Sequence, residues 1–240
     1  LNKPKRAFAL LLAVSIVAAL LLTDSRNAWG GLFLAIPFVI GPTSWSWLLP
    51  LLSLILMPVM LAVFPGINFE LQQIARRLVP EAIWSRLTDM QYINTRSIAS
   101  TRLGQWAEAL NLIFARPWFG WGAAAFSVLY PLRTGLWHGH AHNLPLEVAV
   151  SHGLPTTIVI VLTVLLLLVS ALQNGVLRNG VPTCQNPAHR IFDRAWWSAC
   201  FVLVALHGTD MPFFDSRLNI AGWVLLAGLR CIIRSIPITE

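Results

Sequence analysis

From Asn27 to Phe69 the chain carries no charged residue, and Ala7 to Thr23 carries none either. Uncharged apolar runs of this kind read as membrane-spanning helices, and they constrain the fold more than any other feature of the sequence. The 17 residues of the first run are just enough to cross about 30 Å of hydrocarbon at roughly 1.5 Å per residue. Lys3, Lys5 and Arg6 precede it, a pattern shared with secretory leaders. No small-residue cleavage site follows and more apolar runs come later, so a span is the better reading. The second run is too long for one helix. Gly41-Pro42-Thr43-Ser44 breaks it, giving a second span near 28–41 and a third near 45–64 that ends at Pro65-Gly66.

Leu154 to Leu172 is a fourth span. A polar loop at 173–195 carries Arg178, Arg190 and Arg194, Trp196 to His207 is a short fifth span, and Leu218 to about Ile233 is the sixth. Arg230 and Arg234 can snorkel at its end. The expected fold is therefore all-α: a polytopic helical membrane protein with about six transmembrane helices. Composition agrees, with 56% hydrophobic residues and 11% charged against about 25% charged in an ordinary soluble domain. That excludes a disordered chain, a coiled coil and a typical soluble enzyme. Cys184, Cys200 and Cys231 are widely spaced and give neither a disulfide framework nor a zinc pattern.

Residues 65–142 differ in character. Seven arginines (76, 77, 86, 96, 102, 116, 133) and four acids (Glu70, Glu81, Asp89, Glu108) fall there. The chain thus divides into N-terminal transmembrane helices at 1–64, a large extramembrane loop at 65–142, and C-terminal transmembrane helices at 143–240. Within the loop, Leu71, Ile74 and Leu78 repeat at helical spacing, as do Leu103, Trp106, Leu110 and Ile113. Both segments are expected to be amphipathic helices at the interface, the second capped by Ser100-Thr101.

The net charge is +7. In a membrane chain this points to topology and anionic lipid, and no basic cluster has nucleic-acid motif spacing, so membrane lipids and not nucleic acid are the expected partners. Six spans put the basic N-terminus, the 173–195 loop and the C-terminal end together inside. Arg26, the large loop, His142 and the His207–Asp215 turn then share the outer face. Arginines there meet lipid headgroups or, more sharply, bind phosphate or pyrophosphate through paired hydrogen bonds.

Trp137-His138-Gly139-His140-Ala141-His142-Asn143 alternates three histidines just before a membrane segment. In an extended chain their side chains share one face. A metal site competes with a general base near neutral pH and with a plain polar loop; Glu147 is the nearest carboxylate in sequence. Arg26 is either a snorkelling anchor beside Asp24 or a functional charge at the hydrocarbon edge. Arg102 opens the Thr101-Arg102-Leu103-Gly104-Gln105-Trp106 segment, as a solvated helix face or an anion contact. Arg116-Pro117-Trp118-Phe119-Gly120-Trp121-Gly122 reads as an interfacial anchor and lacks the lysine and strand of a phosphate loop. His207-Gly208-Thr209-Asp210-Met211-Pro212 is a turn or an acid–histidine pair.

Taken in order, Ser25-Arg26, Thr101-Arg102-Leu103 with Trp106, Arg116-Pro117 with Gly120-Trp121-Gly122 and Phe126, and His142-Asn143-Leu144 with Leu146-Glu147 and Gly153-Leu154 resemble the O-antigen ligase and polymerase superfamily of bacterial membrane proteins. The resemblance covers nearly the whole chain and implies a multi-pass inner-membrane protein with its active face in the periplasm. It implies a metal-independent, inverting glycosyltransferase that takes a glycan from undecaprenyl diphosphate, without a cofactor, and passes it to lipid A core or to another glycan. By the same resemblance, Arg26 and Arg102 hold the diphosphate and His142 is the base. Arg116, His140, Asn143 and Asp210 complete the candidate site as substrate-binding residues. The family carries several more N-terminal spans and the sequence opens on Leu1, so an N-terminally truncated member is allowed for. A polysaccharide polymerase or a bicarbonate transporter of the same superfamily is the alternative, and a structural subunit of an envelope complex would need no His142. Transport predicts ionisable residues at mid-membrane, and the first four spans have none.

Overall fold

The structure is a computed structural model that describes residues 3–23, 25–63, 68–88, 97–173, 177 and 187–234. Asp24, Pro65-Gly66, Arg178 and Cys184 lie outside the described residues. Every regular element among the described residues is helical. They are α1 (Lys3–Leu22), α2 (Arg26–Ile40), α3 (Trp45–Val63), α4 (Phe69–Leu78), α5 (Glu81–Leu87), α6 (Arg102–Ala115), α7 (Ala125–Thr134), α8 (Leu144–Ala171), α9 (Pro187–Leu206) and α10 (Ser216–Arg234).

Four of these are long and apolar enough to cross a membrane: α1, α3 with the turn before it, α8 and α10. The chain is an all-α polytopic membrane protein. The second expected span, α2, has 15 residues, about 22 Å of rise. It pairs with α9 instead of standing alone. Phe38 packs against Trp197 and Phe201 at ring-centroid distances of 4.8 and 5.4 Å, and Gly31 lies against Val202 and Leu206. At the far end the Arg194 guanidinium donates to the Ile40 carbonyl at 3.2 Å, a basic side chain on the last turn of a helix. The two helices run antiparallel.

Two boundaries differ from the sequence expectation. α9 begins at Pro187, inside the stretch read as a polar loop. Arg194 made that stretch look non-helical; in the fold it serves α2. Likewise α8 begins at Leu144, ten residues ahead of the expected fourth span. It breaks at Gly153, which has φ 83° and ψ 168°, so the expected span is the second leg of a bent helix.

The break is filled by backbone. Trp121 and Gly122 donate their N–H groups to the Val150 and Ser151 carbonyls at 2.8 and 3.0 Å, and Leu154 N–H donates to the Pro117 carbonyl at 2.7 Å. Groups freed by the kink therefore find partners in the loop after α6, as buried backbone must. The approach is close enough that a Cβ on Gly153 would lie 2.1 Å from the Trp118 carbonyl oxygen, and one on Gly120 would lie 2.6 Å from the Ser151 carbonyl carbon.

Three apolar clusters result. Ala62, Ala75 and Val79 join α3 to α4 and its flank. Leu112, Ile113, Phe126, Tyr130 and Val150 join α6, α7 and the first leg of α8. Leu168, Trp197, Leu229 and Ile232 join the second leg of α8 to α9 and α10. α4 shows the expected stripe exposed, with Leu71, Ile74 and Leu78 all facing outward. In α6 the expected stripe also points out at Leu103 and Leu110, whereas the buried face is Gln105, Ala109, Leu112 and Ile113.

Candidate functional site

Three capped helix starts build the site. Ser25 caps α2, its hydroxyl accepting from Ala28 N–H at 3.3 Å, which puts Arg26 and Asn27 in the first turn. Thr101 caps α6, accepting from Gly104 N–H at 3.2 Å, with Arg102 as the first helical residue. Asn143 caps α8, its Oδ1 accepting from Leu146 N–H at 3.0 Å, with His142 just outside. Short polar side chains at these positions satisfy amide groups that a helix start leaves open.

Asp210 joins the three starts. It sits in the turn after α9, and that turn is tied to the start of α8. Leu144 N–H donates to the His207 carbonyl, and the Asn143 side-chain amide donates to the Gly208 carbonyl, both at 2.8 Å. Asp210 Oδ1 lies 3.3 Å from His142 Nδ1 and accepts Met211 N–H at 2.9 Å. Its Oδ2 accepts the Asn27 side-chain amide at 3.0 Å and lies 3.6 Å from an Arg102 guanidinium nitrogen. Burial alone would raise the Asp210 pKa. The Met211 N–H, the His142 ring and Arg102 outweigh it and hold the carboxyl below its ordinary range.

An ionised Asp210 is an acceptor only, so His142 Nδ1 carries the hydrogen between them. In the neutral ring this tautomer leaves Nε2 as the nitrogen with a lone pair. His142 has φ 50°, a left-handed backbone that a residue with a Cβ adopts only where its surroundings enforce it.

The other residues expected from sequence fall at graded distances from this point. Arg26 is exposed at the start of α2, one residue from the Asn27 contact. The His140 ring packs edge-on to His142 at 4.3 Å and face-on to Phe214 at 5.2 Å. Burial, then His142 and His138, push the His140 pKa below the usual histidine value against the pull of Asp210. His138 packs instead against Tyr130 at 5.5 Å. Asn143 has both ends of its amide engaged within the protein. Arg116 lies at the end of α6, its guanidinium over the Trp121 ring at 4.2 Å, and the contact shown is with that ring and not with Asp210. Its motif carries the glycines that let the loop enter the α8 break.

Sequence reasoning missed Asn27 and the central place of Asp210. Asn27 hides in an uncharged run, its only signal being its place behind a Ser-Arg helix start. Among the described residues, no group of three His, Cys, Asp or Glu side chains is arranged to hold a metal ion.

α6 is aimed by α7. Arg133 pairs with Glu108 at 2.7 Å, and the Tyr130 hydroxyl donates to the Ala99 carbonyl just before the Thr101 cap. Below the site, an apolar cavity of about 550 Å³ runs between α8, α9 and α10. Val148, Ile160, Leu203 and Leu226 line it, and His207, Gly208 and Phe213 bound it near the Asp210 turn.

A family model described as O-antigen ligase matches residues 9–161. The matched stretch holds Arg26, Arg102, Arg116, His140, His142 and Asn143; Asp210 lies beyond it. No curated protein and no solved structure matches the chain.

Proposed function

The chain belongs to the O-antigen ligase family of glycan-processing membrane enzymes, and on that premise we propose that it transfers a glycan from undecaprenyl diphosphate to an acceptor hydroxyl at the periplasmic face of a bacterial inner membrane. The observation that carries this reading is the meeting of His142, Arg102 and the Arg26–Asn27 turn on one carboxylate.

In this mechanism His142 Nε2 takes the proton of the acceptor hydroxyl as its oxygen attacks the anomeric carbon. The bond from that carbon to the diphosphate breaks, and its electron pair leaves with the diphosphate. Attack opposite the leaving group inverts the centre. Asp210 fixes the imidazole tautomer and steadies the imidazolium as it forms, a role geometry supports without requiring the carboxylate to take the proton. Arg102 and Arg26 meet the charge that develops on the leaving group. Three helix N-termini around one point add positive ends where an anion would sit.

The apolar cavity supports a place for the polyprenyl chain of the carrier, beside the site and between membrane helices. His140, held neutral by its surroundings, and Asn143 shape the acceptor side. The Arg116 guanidinium is exposed beyond the ring it covers and contacts substrate at the rim. The acceptor is lipid A core for a ligase; a polymerase would use the same chemistry on a growing glycan.

Purified protein in phospholipid vesicles, given polyprenyl-diphosphate-linked oligosaccharide and acceptor, tests the reading. His142→Ala should keep its fold and lose transfer. Full activity in that variant would end the proposal. Arg26→Lys should also lose most activity, because a point charge does not replace a planar fork; an unaffected Lys variant would leave Arg26 as an anchor. In cells lacking the gene, unlinked carrier-bound polymer would indicate a ligase.

A further inference from the structure

The mechanism leaves one buried carboxylate unused. Glu147 stands in the first turn of α8, and only 5% of its surface is exposed. Burying a carboxyl group there costs more than burying an apolar side chain of similar size, so the contact it makes is its contribution. That contact is local and specific: Glu147 Oε2 accepts the backbone N–H of Ala141 at 3.0 Å. Ala141 is itself fully buried.

The next residue is His142, with its left-handed backbone. Such a conformation is unfavourable for a residue with a Cβ. On the far side of His142, Asn143 caps α8 and holds the Gly208 carbonyl. The strained residue is thus pinned on both sides by side chains from one turn of helix, four residues apart. Release of the upstream pin would let residues 140–142 relax and swing the imidazole off Asp210.

We propose that Glu147 is a positioning residue, whose carboxylate oxygen holds the Ala141 N–H and thereby sets the His142 imidazole against Asp210. The proposal rests on the reading of His142 as the proton acceptor. What matters is an acceptor oxygen at this place, not a charge or a proton.

Two variants separate these roles. Glu147→Gln keeps an oxygen for the Ala141 N–H; Glu147→Leu keeps bulk and removes it. In the vesicle assay with polyprenyl-diphosphate-linked oligosaccharide, the Leu variant should lose kcat by roughly a hundredfold, the scale of a misplacement near 1 Å, with KM little changed. Gln should restore kcat to within a few-fold of the original chain. A second readout needs no turnover: diethyl pyrocarbonate modification of His142, followed on its peptide by mass spectrometry. Leu should change that rate several-fold and Gln should not.

A Gln variant as inactive as Leu, or a Leu variant equal to the original in both assays, overturns the proposal. Should Leu fail to fold, Glu147→Met takes its place; if neither apolar variant folds while Gln does, the residue is a structural tie and the positioning claim falls. Absence of transfer in the unsubstituted protein, with the modification rates as expected, would sink the glycosyl-transfer reading and leave the positioning intact.

Discussion

The two legs of α8 are held by different kinds of force. Before Gly153 the helix is fixed by directed contacts: the Asn143 cap, the Glu147 hold on Ala141, and the backbone pairs to Trp121 and Gly122. After Gly153 it is held mainly by shape, through Leu168 and Ala171 against Trp197, Leu229 and Ile232, with one directed bond, from the Trp197 indole N–H to the Leu168 carbonyl at 2.8 Å. Lipid tails are as apolar as leucine, so packing in that second region gains little from water exclusion and depends on fit. Fit tolerates exchange of one apolar side chain for another. Directed contacts do not tolerate loss of a donor, an acceptor or the room between two backbones.

The sharpest way to break this contrast is at the bend. Gly153→Ala should unfold or abolish recovery of the protein, with a destabilisation of more than about 3 kcal/mol from backbone strain and clash. Leu229→Met, an exchange of similar volume in the second region, should cost less than about 1.5 kcal/mol. Fluorescence-detected size exclusion after heating compares the two; equal losses would erase the distinction between the legs.

Asp210→Asn comes next. It removes the charge facing Arg102 and leaves one acceptor oxygen where two are engaged, so the Asn27 and Arg102 donors compete with His142 for it. Transfer should fall about a hundredfold or more while the thermal midpoint stays close to that of the original chain. Asn143→Ala should then cost about 1–2 kcal/mol through the lost cap and the lost tie to Gly208, read as a lower thermal midpoint together with weaker transfer.

The smallest expected effect is a pH dependence. His140 has its pKa lowered in the fold, so the unfolded chain gains its proton first as pH falls. Stability should be full above about pH 6.5, the ordinary histidine value, and decline below it until the folded ring also protonates. His138 is lowered in the same way by burial and by His142 and shares that acid limb, so His140→Asn should shrink it and the double variant with His138→Asn should flatten it. A limb that persists unchanged assigns it to another group.

Much of this was legible in the sequence, for a physical reason. Charge-free runs mark spans because a bilayer penalises every charge, and Thr101 marks a cap because its hydroxyl is the right length for the job. His142 stood out as a titratable group just before a membrane segment, and Arg102 as the charge that opens an amphipathic segment of the large loop. Asp210 was visible only as half of an acid–histidine turn: its role comes from the Leu144–His207 and Asn143–Gly208 bonds, which join positions more than 60 apart in the chain. Glu147 was noticed only as the nearest carboxylate to the histidines, since nothing in its spacing says that its oxygen faces a backbone amide upstream. Arg190 and Arg194 misled, because a charge at a helix start reads like a charge in a loop. α6 misled in part: of its expected stripe, Leu103 and Leu110 face outward while Ile113 is buried, and the rest of the buried side is Ala109, Leu112 and a glutamine.

The obstacles facing Gly120 and Gly153 are main-chain atoms on both sides of the junction. A neighbouring side chain can be trimmed by a second mutation, but a carbonyl cannot. In a genetic selection for restored function, a Gly153→Ala allele should therefore yield reversion at its own codon and no compensating suppressor nearby, while lesions among the apolar residues of the second leg should be suppressed readily by their partners.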